Sequence, residues 1–316
     1  MQTKRQIQEL LTSAGVSPNR RLGQHFLVDL NLMRLLLDSA DVRPSDVVLE
    51  VGTGTGSLTE ALIERAGSVV GVELDPALTE IARSRVADAP NAEILNTDVL
   101  SGKGSLDPAV LEAVERARRG DPLWSRSPIS PEGQARGPAP TEGRRLLLVS
   151  NLPYDVASPV MINLVKGPLR ADVMSVTVQK EVADRMTAPP GTRHYGSLSI
   201  LLGATGEVEL IRTLKPGVFW PPPQVDSAIV RYSRDEAKCR RIEDMGLFGQ
   251  VAGLFLGHRR KMLRACIRHA PPEWADRETW LRIFAEHGID PARRPADLSP
   301  AHFVAIANSI REAARS

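Results

Sequence analysis

The 316-residue sequence is short of cysteine, of aromatics and of long apolar runs. The shortages of cysteine and of apolar runs each remove a class of protein. Its two cysteines, Cys239 and Cys266, form no CxxC pair, which leaves neither a metal framework nor a disulfide scaffold to propose. Both are read as reduced, buried thiols, and no metal is expected. No stretch approaches the ~18 consecutive apolar residues of a membrane span, and the opening MQTKRQIQELL lacks the apolar centre of a secretory leader. The expectation is a cytoplasmic protein with no membrane partner. Neither sign of charge is in excess: 40 Lys and Arg stand against 38 Asp and Glu, a net +2. Any affinity for nucleic acid must therefore come from local basic clusters.

What is present is the composition of an ordinary folded protein, 42% hydrophobic and 25% charged, with room at roughly 100 to 200 residues per domain for two domains. A short amphipathic helix with Ile7, Leu10 and Leu11 on one face leads into the basic loop SPNRRLGQ, and a second helix follows an Asp29 cap. From there apolar strands and helices of about ten residues alternate: strands at 46–52, 68–74, 92–98, 146–151 and 172–179, helices at 57–66, 76–87 and after Ala157. Near-continuous Val and Leu runs in such an alternation indicate a mostly parallel sheet covered on both faces, an open α/β fold. Two more strands, 206–214 and 226–233, read as a hairpin at one sheet edge. From about Asp235 only helical periodicity remains, which places an α/β domain at 1–234 and a small all-helical domain at 235–316. Residues 101–145 break the alternation. They hold one capped helix, DPAVLEAVERARR, and then a 24-residue stretch, 120–143, with nine Gly or Pro, read as a mobile insertion. Its functionless reading stands beside an RNA-contacting arm through Arg118, Arg119 and Arg126, with Trp124 its only aromatic.

Chemistry concentrates at the strand ends. In EVGTGTG, Gly52, Gly54 and Gly56 alternate where the first strand turns into a helix, and glycine there lets backbone approach a ligand closely. No Lys-Ser or Lys-Thr pair follows, so a P-loop is excluded. The Gly-x-Gly-x-Gly spacing, the acid Glu50 in the loop's own strand, and polar residues at later strand ends favour S-adenosylmethionine over a dinucleotide. Glu73 can accept from both ribose hydroxyls and Asp98 from the adenine amino group. After the fourth strand stands SNLPYDVASP. An Asn151 side-chain oxygen and the Leu152 carbonyl, its direction set by Pro153, can accept the two N–H bonds of an exocyclic amine, and Tyr154 can offer a flat face to a base. In GHRRKMLRACIRHA, Arg259, Arg260, Lys261, Arg264 and Arg268 occur with no acid between Met245 and Pro272. Helical spacing would align Arg260, Arg264 and Arg268 and turn Met262, Cys266 and Ile267 to the core, giving a phosphate-binding stripe. Arg20 and Arg21 form a second basic cluster before GQHFL.

These motifs together resemble the small-subunit ribosomal RNA adenine N6,N6-dimethyltransferases of the KsgA type. The likeness runs through GQHFLVD, LEVGTGTGSLT, VVGVELD, NTD, NLPY, QKEVADR, YGSLSI, FWPPPQVDSAIVR, HRRKMLR and RPADLS. It implies a class I, Rossmann-like methyltransferase with a seven-stranded sheet and a helical RNA-binding domain. It further implies that His25, Leu27, Gly52, Glu73, Asp98 and Asn151 contact S-adenosylmethionine. Asn151, Leu152 and Tyr154 would hold the target adenine, with Phe219 against the base's other face. The implied reaction places four methyl groups on two adjacent adenines of a small-subunit ribosomal RNA hairpin, with the immature small ribosomal subunit as partner and the enzyme a monomer. Two rivals stand beside it: a large-subunit adenine methyltransferase of the macrolide-resistance type, and a non-catalytic nucleic-acid-binding relative. Thr53, where the family usually has Pro, and the long insertion are departures.

Overall fold

A computed structural model describes residues 1–19, 23–102, 104–121 and 143–314. Arg20, Arg21, Trp124 and Arg126 lie outside these. Seven strands form the main sheet: β1 (Val47–Val51), β2 (Ser68–Glu73), β3 (Ala92–Asn96), β4 (Leu146–Asn151), β5 (Val173–Gln179), β6 (Gly206–Leu214) and β7 (Ser227–Arg234), in the spatial order β3-β2-β1-β4-β5-β7-β6. The first five pair in parallel, and every residue of β1 and β2 is buried, as unbroken apolar runs in a doubly covered sheet require. β6 and β7 are neighbours at one edge, in line with the expected pairing. Strand order reverses between β1 and β4, and in such sheets the crevice outside the carboxyl ends at the reversal receives the ligand.

Helices α1 (Lys4–Ser13), α2 (Leu30–Ala40), α3 (Ser57–Ile63), α4 (Pro76–Arg85), α5 (Pro108–Arg119) and α6 (Ala157–Lys166) belong to this part. Their starts are written in the sequence. Asp29, Asp75 and Asp107 each accept a backbone N–H from the first turn, and Pro76 and Pro108 open their helices at positions where no N–H is needed. Core packing joins Met33, Leu36 and Leu37 of α2 to Val48, Leu147, Val149 and Val173 of the strands. Of residues 101–145, set apart in the sequence as an insertion, the first part is a short hairpin followed by the capped helix expected there, α5. Leu100–Ser101 pairs with Ser105–Leu106, and α5 buries Val110, Ala113, Val114 and Ala117. The Gly/Pro-rich composition belongs only to the residues that follow α5. At the amino ends of the strands, Arg145 donates to Asp46 through Nε at 3.0 Å and Nη2 at 2.6 Å. Asp46 is fully buried, so this pair staples the starts of β1 and β4.

The described chain divides into two compact units, Met1–Ala183 with Leu210–Arg231, and Asp184–Glu209 with Tyr232–Ser316. The second unit thus gathers α8 (Ser197–Thr205) with the C-terminal helices α9 (Glu236–Arg240), α10 (Met245–Gly257), α11 (Leu263–Cys266), α12 (Arg277–Glu286) and α13 (Pro300–Ala313), where a cut at 234 would leave α8 with the sheet. Helix α7 (Lys180–Thr187) crosses the division. In the second unit Phe255 is the hub, 5.9 Å from Trp280, 6.3 Å from Phe284 and 6.2 Å from Phe303 between ring centroids. The expected basic helical stripe is also corrected. α10 stops at Gly257, a turn occupies His258 to Lys261, and the short α11 starts only at Leu263. Arg260 is therefore not on a helix with Arg264, and Met262 is exposed, whereas Cys266 and Ile267 are buried as expected. Neither cysteine is in a disulfide; Cys266 is buried as expected, whereas Cys239 is only half-buried. Among the described residues no helix is long and apolar enough to cross a membrane.

Candidate active site

An open cleft lies at the carboxyl ends of β1, β2 and β4 in the first unit. His25, Gly52, Gly54, Glu73, Asp98, Asn151, Leu152, Pro153 and Tyr154, each singled out by the sequence, all line it. The glycines are there for room. Gly52 has φ +80°, and a Cβ on it would sit 3.0 Å from Pro153 Cγ; Gly54 has φ +56°, and its Cβ would sit 2.9 Å from Phe26 Cε1. Both conformations favour glycine, and both closures leave bare backbone facing the cleft.

Glu73 is buried, and burial raises its carboxyl pKa above the ordinary value, against the opposing pull of backbone N–H groups. Its Oε2 accepts from Gly54 N at 2.8 Å and its Oε1 from Asp75 N at 3.0 Å. A carboxylate has about four acceptor sites, so Glu73 keeps acceptor capacity for a ligand. Asp98 spends Oδ1 on Leu100 N at 2.9 Å and keeps Oδ2. Between them Leu74 is 49% exposed, an apolar side chain on the cleft wall. Below the loop, Glu50 accepts from Thr59 Oγ1 at 2.6 Å, and its burial pushes its pKa up to about 8. It anchors α3 to β1 and does not line the main cleft.

The NLPY segment is set from both sides. Ser150 Oγ donates to Val51 O at 2.5 Å and Leu152 N to Thr177 O at 3.1 Å. Asn151 Nδ2 donates to His25 O at 2.7 Å, which commits the amide nitrogen and leaves Oδ1 as an oriented acceptor. Among the described residues the Leu152 carbonyl has no hydrogen-bond partner. Tyr154 shares a hydrogen bond with Ser227 Oγ at 2.8 Å, and burial raises its phenol pKa, so the ring stays neutral. His25 lies over it with ring centroids 5.7 Å apart and planes at 30°, its Nδ1 2.7 Å from Pro221 O.

Two sequence candidates do not line this cleft, although Leu27 lines a smaller pocket beside it with Gly52, Gly54 and Asn151. Phe26–Leu27 pairs antiparallel with Phe219–Trp220, Leu27 opposite Phe219. Side chains alternate across such a ribbon, so Phe26 faces the cleft and stacks on Trp220, while Leu27 and Phe219 sink into the core, 5% and 3% exposed. Phe26 and Leu74 are cleft residues that the sequence reading missed. The first could have been found from the same alternation; the second is an apolar residue directly after the expected acid. Arg259, Arg260, Lys261, Arg264 and Arg268 are all exposed in the second unit, and none has an ion pair among the described residues.

The family described as "Ribosomal RNA adenine dimethylase" matches residues 15–312. The chain belongs to this family. It is 34% identical to "Ribosomal RNA small subunit methyltransferase A" of Pelotomaculum thermopropionicum, over 97% of this chain and 96% of the relative. It is 34% identical to the protein of the same name from Geobacillus kaustophilus, over 96% and 94%. Among solved structures, a dimethyladenosine transferase from Plasmodium falciparum aligns with TM-score 0.66 at 20% identity, over 89% of this chain and 96% of the other. The 23S rRNA methyltransferase ErmE aligns with TM-score 0.59 at 22% identity, over 90% and 99%. These two likenesses carry the fold alone. Membership makes the chain an S-adenosylmethionine-dependent methyltransferase, and the cleft fits that cofactor. The glycine backbone is bare where a ligand must come close, an acid with spare acceptor sites ends β2, and apolar Leu74 stands between the two acids. Among the described residues no group of three or more His, Cys, Asp or Glu could hold a metal.

Proposed function

We propose that this protein methylates the N6 amines of two adjacent adenines in a small-subunit ribosomal RNA hairpin, and that its substrate is the immature small subunit, met as a monomer. The observation that carries the chemistry is the acceptor pair at the end of β4, Asn151 Oδ1 oriented by the bond to His25 O and the unengaged Leu152 carbonyl. An aromatic amine delocalises its lone pair into the ring and is a poor nucleophile. Two acceptors on its two N–H groups draw the nitrogen towards a tetrahedral geometry and aim the lone pair away from both. Orientation of this kind supplies a large share of a barrier reduction, and Tyr154 offers the unstacked base a face. When bound, S-adenosylmethionine supplies the sulfonium-activated methyl group; Glu73 would hold its ribose hydroxyls, Asp98 its adenine amine, and the Gly52–Gly54 backbone its amino-acid portion. His25 is the ring over Tyr154 in this structure, so the base enters by displacing it.

The RNA is held by Arg259, Arg260, Lys261, Arg264 and Arg268 through phosphates, with Arg20 and Arg21 adding to the same role. Small-subunit RNA is favoured over large-subunit RNA because the relatives matched along nearly the whole chain carry the small-subunit name. A non-catalytic role is disfavoured by the intact acceptor pair and glycine loop. Labelled methyl transfer to unmodified small-subunit and large-subunit RNA, run side by side, tests the reading. Transfer to the first is expected, and transfer only to the second would replace it with the large-subunit alternative.

A further inference from the structure

The wall of the cofactor cleft is held from outside by the start of the chain. Gln2 is 2% exposed and grips the glycine loop at three points. Its backbone N–H donates to Ser57 Oγ at 2.7 Å, its Nε2 donates to Thr55 O at 3.0 Å, and its Oε1 accepts from Thr55 Oγ1 at 2.7 Å. The side chain thus closes a reciprocal ring with one residue of a loop whose neighbours Gly54 and Gly56 both have positive φ and no side chains to stiffen them. Gln2 is itself held in place, because Thr3 caps α1 in a reciprocal capping box with Gln6. Along α1, Ile7 and Leu11 pack with Phe26, Leu78 and Ile81, and Phe26 and Leu78 line the cleft. One helix therefore joins the glycine loop, the GQHFL segment and α4, three separate pieces of the same wall.

The geometry points to Gln2 as a positioning residue for S-adenosylmethionine: acting through Thr55, it sets the glycine loop in the conformation that receives the cofactor's amino-acid portion. This rests on the reading of the cleft as the S-adenosylmethionine site. A buried amide and hydroxyl that satisfy each other cost little, whereas either left alone bears a desolvation penalty, so the pair selects the loop conformation in which both bonds form. The effect belongs to cofactor binding and not to RNA binding or the chemical step.

The test is Gln2→Ala, which keeps the backbone bond to Ser57, beside Thr55→Val, which keeps the loop's volume. Calorimetry would give the S-adenosylmethionine Kd, and steady-state methyl transfer would separate the cofactor KM, the RNA KM and kcat. A rise of about tenfold in cofactor Kd and KM is expected for each variant, with kcat at saturating cofactor and the RNA KM within twofold of wild type. The double variant is expected to be no worse than either single one, since both remove the same ring of bonds. If wild type binds the cofactor and both variants bind it within twofold as well, the brace is refuted while the cleft assignment stands. Parallel loss in cofactor affinity, RNA KM and kcat would make Gln2 a general stability residue and would also refute it. Absence of binding by wild type would overturn the cleft assignment and the brace together.

Discussion

Asn151 bears the chemistry. Asn151→Ala removes one of two acceptors and frees the His25 carbonyl, and methyl transfer is expected to fall by about 100-fold or more with thermal unfolding close to wild type. Turnover near wild type would show that the base is held some other way. Glu50 makes a different prediction. Burial pushes its carboxyl up to about 8, against the opposing bond from Thr59, while an unfolded glutamate titrates near ~4.3. Across that window the folded protein holds a proton that the unfolded chain has lost, so this contribution to stability falls as pH rises, by at most about 1.4 kcal/mol per pH unit. Glu50→Gln keeps an acceptor for Thr59 and cannot ionise. Wild-type Tm is therefore expected to decline more steeply than that of E50Q between pH 5 and 8, and equal slopes would contradict the raised pKa. At this scale the polar cleft residues were legible because each ends a strand beside the glycine loop. Phe219 and Leu27 were not, since their burial is decided by a two-residue ribbon that joins segments 192 positions apart, Phe219 to Leu27. Gln2 was invisible for the same reason: its partners at 55 and 57 are distant in sequence.

At the level of elements, caps and apolar runs did most of the specifying. The Asp-capped helices and the five parallel strands follow from local pattern, and they appear where that pattern puts them. Helix α8 left no such trace. Seven of its residues, Leu198 to Leu202 with Ala204 and Thr205, are buried on all sides, so it shows no periodic contrast to read. The basic stretch failed in the opposite way, because helical spacing was extended through a turn at His258 to Lys261. The glycine loop yields a test at this scale. Gly52→Ala must carry a side chain at φ +80° and 3.0 Å from Pro153 Cγ. The left-handed backbone alone costs about 1–2 kcal/mol, and a cofactor Kd raised by tenfold or more is expected by calorimetry. For the basic segment, Arg260→Glu with Arg264→Glu is expected to weaken RNA binding and to flatten the plot of log K against log salt by about 1.5 to 2. An unchanged slope would make those side chains a solvated face.

For the molecule as a whole, the parallel sheet separates the cleft from the Gly/Pro-rich segment's points of attachment. The cleft occupies the carboxyl ends of the strands, and the Gly/Pro-rich segment enters and leaves at the opposite end, after α5 and before β4. Its flanks are already joined: a Cβ on Gly143 would sit 3.0 Å from Arg118 Nη2, Arg144 Nη1 donates to Ala117 O at 3.4 Å, and Arg145 is paired with Asp46. Replacing residues 122–142 by a short Gly/Ser bridge is therefore expected to preserve cofactor binding and methyl transfer to RNA within about threefold, where the cost of changing a loop's length is small. Loss of transfer with cofactor binding intact would show that the segment takes part in substrate recognition. The modified base is identified by incubating the purified protein with labelled S-adenosylmethionine and small subunits lacking dimethyladenine, then mapping the RNA by mass spectrometry. Dimethylation of two adjacent adenines in one small-subunit hairpin is the predicted result. Methylation at any other base, or none while the cofactor still binds, would contradict it.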